Sequence, residues 1–136
     1  MRASRIVARV IALAAAVVVV GGSARALAAD GVKVASGKDG SYLTDANGMA
    51  LYTFKKDTAG KSACAGDCVT KWPLFYQEKV APTGELKASD FATIVRADGK
   101  KQTTYKGMPL YHFASDGAAG DTKGQGVKDV WFLARP

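Results

Sequence analysis

Apolar residues in this chain gather in short runs of β-prone residues, and over most of its length they follow no helical period. Runs at 32–35 and 93–96 lead into Asp39-Gly40 and Asp98-Gly99, and Asp-Gly between such runs marks a hairpin. Further strands are predicted at 42–44 and 102–105, followed by Gly turns at Asn47-Gly48 and Lys106-Gly107. Strands at 51–54 and 110–113 come next, and strands at 72–76 and 131–133 close the pattern. The exception is "SACAGDCVTKW", where a short helical turn near residues 62–71 is predicted to end at Pro73, whose ring cannot continue a helix. A polar connector, 78–90, carries Pro82 and Gly84.

The same order of elements occurs twice because the sequence itself does. "GMALYTFKKD" at 48–57 returns as "GMPLYHFASD" at 107–116, and laying 32–77 over 91–136 without gaps gives twelve identities. Among them are Met49 with Met108, Tyr52 with Tyr111, Phe54 with Phe113, Asp57 with Asp116, and the chain's two tryptophans, Trp72 with Trp131. Self-similarity at a fixed period indicates that each copy is one supersecondary unit burying its apolar face against its twin. The expected fold class is therefore all-β, a small domain (29–136) of two pseudo-symmetric tandem β units. Tyr52 and Phe54 share one face of their strand while Leu51 and Thr53 share the other, which predicts burial on both sides. Asp57 and Asp116 stand three residues after the Phe, where a carboxylate is expected to accept N–H groups one or two residues on and fix the turn. Identical residues at paired positions favour a scaffold role for the motif over a ligand cleft.

Residues 1–28 read as an export signal: Arg2, Arg5 and Arg9 precede an apolar run over 10–20, and Ala26 and Ala28 stand at the signal-peptidase positions. That run is too short for a bilayer, which needs about 20 residues. The formal charge of +7 changes once the leader is removed, because Arg2, Arg5, Arg9 and Arg25 leave with it; 15 basic and 12 acidic residues remain, a net +3. No basic stripe suited to nucleic acid is present, and export separates the protein from it.

The paired Tyr-x-Phe-x-x-Asp motifs, the "CAGDCVTKWP" stretch and the ending "QTTYKGMPLYHFASDGAAGDTKGQGVKDVWFLARP" resemble the bacterial secreted-repeat family, whose members are labelled lipoproteins with a Yx(FWY)xxD motif. The resemblance spans nearly all of 29–136 and implies an exported domain of two tandem repeats with no assigned biochemical role. "ARALAAD" offers no cysteine for lipidation, so no stable membrane anchor is expected after cleavage.

Cys64 and Cys68 are the most chemically loaded residues. In an oxidising compartment a disulfide is the expected state, and closing so small a loop contributes about 2 kcal/mol in the chain-entropy treatment. Their second-copy counterparts are Lys123 and Val127, so the unit can be built without them. The alternative is a copper or thiol-redox site in which Cys64 and Cys68 are joined by His112 and by Met49 or Met108. Two cysteines and one histidine fall short of a closed zinc set. Lys123-Gly124 in "GAAGDTKGQG" does not complete a P-loop, and no Gly-x-Ser-x-Gly elbow accompanies the single histidine. The reading is an exported, soluble β-repeat protein, periplasmic or extracellular, acting as a non-catalytic binding or accessory module with no required cofactor and an envelope protein as candidate partner. A metal or thiol-redox accessory role is the first alternative and an enzyme of unknown class the second.

Overall fold

The structure, a computed structural model, describes residues 31–136; the predicted leader lies outside the described residues. Among the described residues its regular elements are mostly strands, with one short α-helix, as the β-run pattern implies. Strands β1 (Gly31–Gly37) and β2 (Gly40–Asp45) form the first hairpin. Then come β3 (Tyr52–Phe54), helix α1 (Asp67–Lys71), β4 (Ala81–Pro82), and the second hairpin of β5 (Phe91–Val95) and β6 (Lys101–Tyr105). Strands β7 (Met108–Pro109) and β8 (Trp131–Leu133) complete the chain. The sheets run β2-β1-β4, β3-β8 and β5-β6-β7.

The units do not lie side by side; they exchange their tails. Tyr52 of the first copy pairs with Leu133 of the second, and Tyr111 of the second pairs with Leu74 of the first. Between them Tyr52 and Tyr111 donate N–H groups to each other's carbonyls at 2.8 and 3.0 Å. Each closing segment therefore completes the opposite copy, in the reciprocal pattern of an approximate twofold axis at the tyrosine pair. The bonds flanking this centre repeat faithfully: Lys55 N–H to Val130 O is matched by Ala114 N–H to Lys71 O.

Strand alternation separates two cores. Tyr52 and Phe54 face an aromatic cluster with Tyr42, Trp72, Tyr111, Trp131 and Leu133. Leu51 points oppositely, with Leu110, into a cluster of Val32, Leu43, Phe75, Tyr105 and Ala134. The expected two-sided burial is met at Leu51, Tyr52, Leu110 and Tyr111, all fully buried.

Several expectations need correction. The gapless alignment conceals two compensating length changes. Val34 pairs with Leu43 and Thr93 with Thr103, and Leu51 and Leu110 donate N–H bonds to Leu43 and Thr103 respectively. Val34 and Thr93 are 59 apart in sequence, as are Leu51 and Leu110, but Leu43 and Thr103 are 60 apart. Thr44 and Thr103, aligned in sequence, are thus not structural twins. The later turn explains part of this. In copy one Asp45 Oδ1 accepts the N–H groups of Asn47 and Met49, stabilising a longer loop; in copy two Lys106 and Gly107, at φ 50° and 87°, make a tighter left-handed turn. The segment 72–76 is not a strand: after α1 the chain turns at Pro73, and only Leu74 makes a bridge. Over 110–113, likewise, only Tyr111 bridges, once on each side. Nor is the connector merely polar, because its β4 runs parallel to β1 and its Val80 and Leu86 pack on the second core.

The loop after Asp116 packs so closely on the aromatic core that a side chain at Gly124 would stand 2.8 Å from both the Trp72 and Tyr52 rings. Neither ring has room to withdraw, since both are buried. Gly124→Ala is expected to destabilise the fold by about 1–3 kcal/mol, the cost of overpacking a closed core; the urea unfolding midpoint, followed by near-ultraviolet circular dichroism, measures it.

Candidate functional site

The motif residues meet at the twofold. The two tryptophan rings lie face to face, with centroids 3.8 Å apart and planes 4° from parallel. Phe54 stacks on the outer face of Trp131 at 4.2 Å, and Phe113 on Trp72 at 4.1 Å, so four rings form one continuous pile, each phenylalanine resting on the other copy's tryptophan. Tyr52 and Tyr111 abut the pile edge-on, at Trp72 and Trp131 respectively. Each aromatic pair is worth about 0.5–1.5 kcal/mol beyond the area it buries.

The aspartates were expected to fix their own turns. Instead each reaches the opposite copy: Tyr52 donates its hydroxyl to Asp116 Oδ2, and Tyr111 donates to Asp57 Oδ2, both at 2.6 Å. Their second oxygens accept more distant backbone N–H groups, Asp57 from Ala63 and Asp116 from Lys123. The shorter-range turn bond is not made because the local N–H groups go elsewhere, Thr58 to the Lys61 carbonyl and Gly117 and Ala118 to Asp121 Oδ2, while both carboxylates are buried, at 5% and 7% exposure. A buried carboxylate needs several donors, and the facing phenol is one that no local turn supplies.

Around these matched pairs the two ends differ. Tyr52 accepts a further bond from the Gly124 N–H. At the other end the Tyr111 proton is directed to Asp57, so Ser62 donates to the Tyr111 oxygen, while Ser62 Oγ accepts from Arg96 and from the Cys64 N–H. Arg96, itself buried, also donates to Gln102, Asp98 and the Cys64 carbonyl. Burial raises the Asp57 carboxyl above its ordinary value, opposed by the Ala63 N–H, the Tyr111 hydroxyl and the charge of Arg96. Burial, reinforced by the hydrogen-bonded aspartates, raises both Tyr52 and Tyr111. The exposed Asp98 is held below the carboxylate range by Arg96.

One edge of the ring pile opens into a groove of about 550 Å³. Its lining repeats across the axis: Phe54 with Phe113, Trp72 with Trp131, Lys56 with Ser115, Cys68 with Val127, and Lys71 with Val130. Lys56, Lys71 and Lys128 make its rim basic, with Asp67 the acidic residue there. Cys64 and Cys68 are disulfide-bonded, and only Cys68 reaches the groove lining. His112 lies elsewhere, its Nε2 2.9 Å from Asp45 Oδ2; burial acts to raise the Asp45 carboxyl, but this contact together with the Met49 and Asn47 N–H groups lowers it. Met49 and Met108 flank the Gly turns, half-buried. Among the described residues no group of three or more His, Cys, Asp or Glu side chains is placed to hold a metal ion. Sequence reasoning passed over Arg96, Ser62 and Gln102 and the three rim lysines. No local signal marks Arg96, since its partners Ser62 and Cys64 lie more than thirty residues away.

Among comparisons with known proteins, a family model described as a secreted repeat of unknown function matches the chain twice, over residues 33–75 and 92–135. No curated protein and no solved structure matches it.

The raised phenols imply an alkaline limit. The folded state keeps the Tyr52 and Tyr111 protons above the ordinary 10.0, whereas the unfolded chain releases them there, so stability falls as pH rises beyond about 10. Tyr52→Phe and Tyr111→Phe are each expected to cost about 1.5–3 kcal/mol at neutral pH, as loss of a hydrogen bond to a charged group. Each should also flatten the alkaline decline, as judged from denaturant midpoints measured across pH.

Proposed function

The chain belongs to the secreted-repeat family of unknown function, matched through both repeats, and on that premise we propose that it is a non-catalytic binding module whose ligand lies in the groove on the approximate twofold axis. The observation that carries this reading is the combination of an apolar floor of four stacked rings with a basic rim. Ligand sites are concave and largely apolar, with a few polar groups that fix orientation. The groove has that form, and its volume suits a small molecule rather than a folded domain. Lys56, Lys71 and Lys128 outnumber Asp67 and favour an anion. The ligand class is therefore a small amphipathic anion, its apolar body against the ring edges and its acidic group at the lysines.

The reading includes the cellular setting. The leader over residues 1–28 directs export, its removal leaves a single domain over 29–136, and the module works in the periplasm or outside the cell. Among the described residues no helix is long and apolar enough to cross a membrane.

Both tryptophans of the chain form the groove floor, so their emission reports occupancy. Titration with an arylsulfonate, anilinonaphthalene sulfonate, is expected to give saturable energy transfer from tryptophan. The double variant Lys71→Glu, Lys128→Glu should weaken binding by roughly tenfold or more, about 1.4 kcal/mol. Absence of saturable transfer in the folded protein, or equal affinity in the double variant, would refute the groove reading.

A further inference from the structure

The two sulfurs of the disulfide stand in unequal surroundings. Cys64 is buried at 1% exposure, and its backbone is held at both polar atoms: the N–H by Ser62 Oγ and the carbonyl by Arg96. Cys68 sits on α1, half-buried, and lines the groove beside Lys71, with Lys56 and Lys128 also present and Asp67 as the opposing charge. The twin half closes without such a bond. There Lys123 and Val127 occupy the corresponding positions, and the loop is secured by the Lys123 N–H on Asp116 and the Gly124 N–H on Tyr52. A bond that one half of a symmetric fold omits is not what holds the fold together.

We propose that Cys64–Cys68 is an exchangeable disulfide, opened at the Cys68 sulfur by a thiolate entering the groove from a dithiol partner. The partner thiolate forms a sulfur–sulfur bond with Cys68 as the Cys64–Cys68 bond breaks, and Cys64 leaves as a thiolate that takes a proton from water. The partner's second thiolate then attacks its own sulfur in the mixed disulfide, and Cys68 departs as a thiolate that is protonated in turn. The partner is oxidised by two electrons and this protein gains two electrons and two protons; the reverse sequence restores the disulfide. The rim lysines favour thiolate at Cys68, because nearby cations stabilise the anionic sulfur. Arg96 holds the Cys64 backbone carbonyl and so fixes the residue from which the first thiolate leaves. Cys64 is the fixed member and Cys68 the exchanging one.

Glutathione serves as the probe. A brief pulse of reduced glutathione on the wild-type protein, quenched with acid and mapped by peptide mass, is expected to place the adduct on Cys68. Cys64→Ser, which leaves Cys68 alone, should react with glutathione disulfide at least about tenfold faster than Cys68→Ser reacts through the buried Cys64. Near-ultraviolet circular dichroism of the fully reduced wild type should keep its tryptophan signature. Adducts shared equally between the cysteines would overturn the proposal. So would a wild-type bond that glutathione leaves untouched, or a tryptophan signature lost on reduction, which would make the bond a structural clip.

Discussion

Two carboxylates lie inside this small domain, and each is held by a phenol from the opposite repeat. Burying an ionised carboxylate without donors costs several kcal/mol, so Asp57 and Asp116 tie the two halves together by requiring Tyr111 and Tyr52 in turn. The same tyrosines bond each other through the main chain and brace the stacked tryptophans edge-on. Tyr, Phe, Asp and Trp therefore recur at one spacing because each contact made by one copy must be returned by the other. Neither half can satisfy its aspartate or cover its tryptophan alone.

On this symmetric frame the chain places unsymmetric chemistry. One phenol is backed by the Gly124 N–H, the other by Ser62 and a buried arginine whose remaining donors reach Gln102, Asp98 and the carbonyl of Cys64. The disulfide belongs to one half only. The groove lies across the axis, lined by paired apolar residues but rimmed by lysines that are not themselves paired: Lys56 faces Ser115 and Lys71 faces Val130. Where the copies agree they build the interface, and where they differ they furnish it.

Much of the architecture was legible in the residues. The Asp-Gly turns, the β-prone runs, the helical stretch before Pro73, the two-sided burial of 51–54 and the pairing of Trp72 with Trp131 all follow from local preference and self-similarity. Less was visible where two effects cancel: an extra residue in one turn and a missing one in the next restore the 59-residue spacing, so sequence alignment sees no gap. The partners of Asp57 and Asp116 were misjudged because a turn carboxylate looks identical whether it caps its own loop or waits for a phenol more than fifty residues away.

The sequence by itself determined that this is a β protein made twice, because strand periodicity, turn residues and repetition are local properties of the chain. Only the tertiary structure decided that the copies exchange tails, that each tyrosine serves the other copy's aspartate, and that one cysteine lines a groove while its partner lies beneath. Those outcomes depend on burial. Burial sets which donors a carboxylate can find and which sulfur a solute can reach, and it does not exist until distant segments have packed.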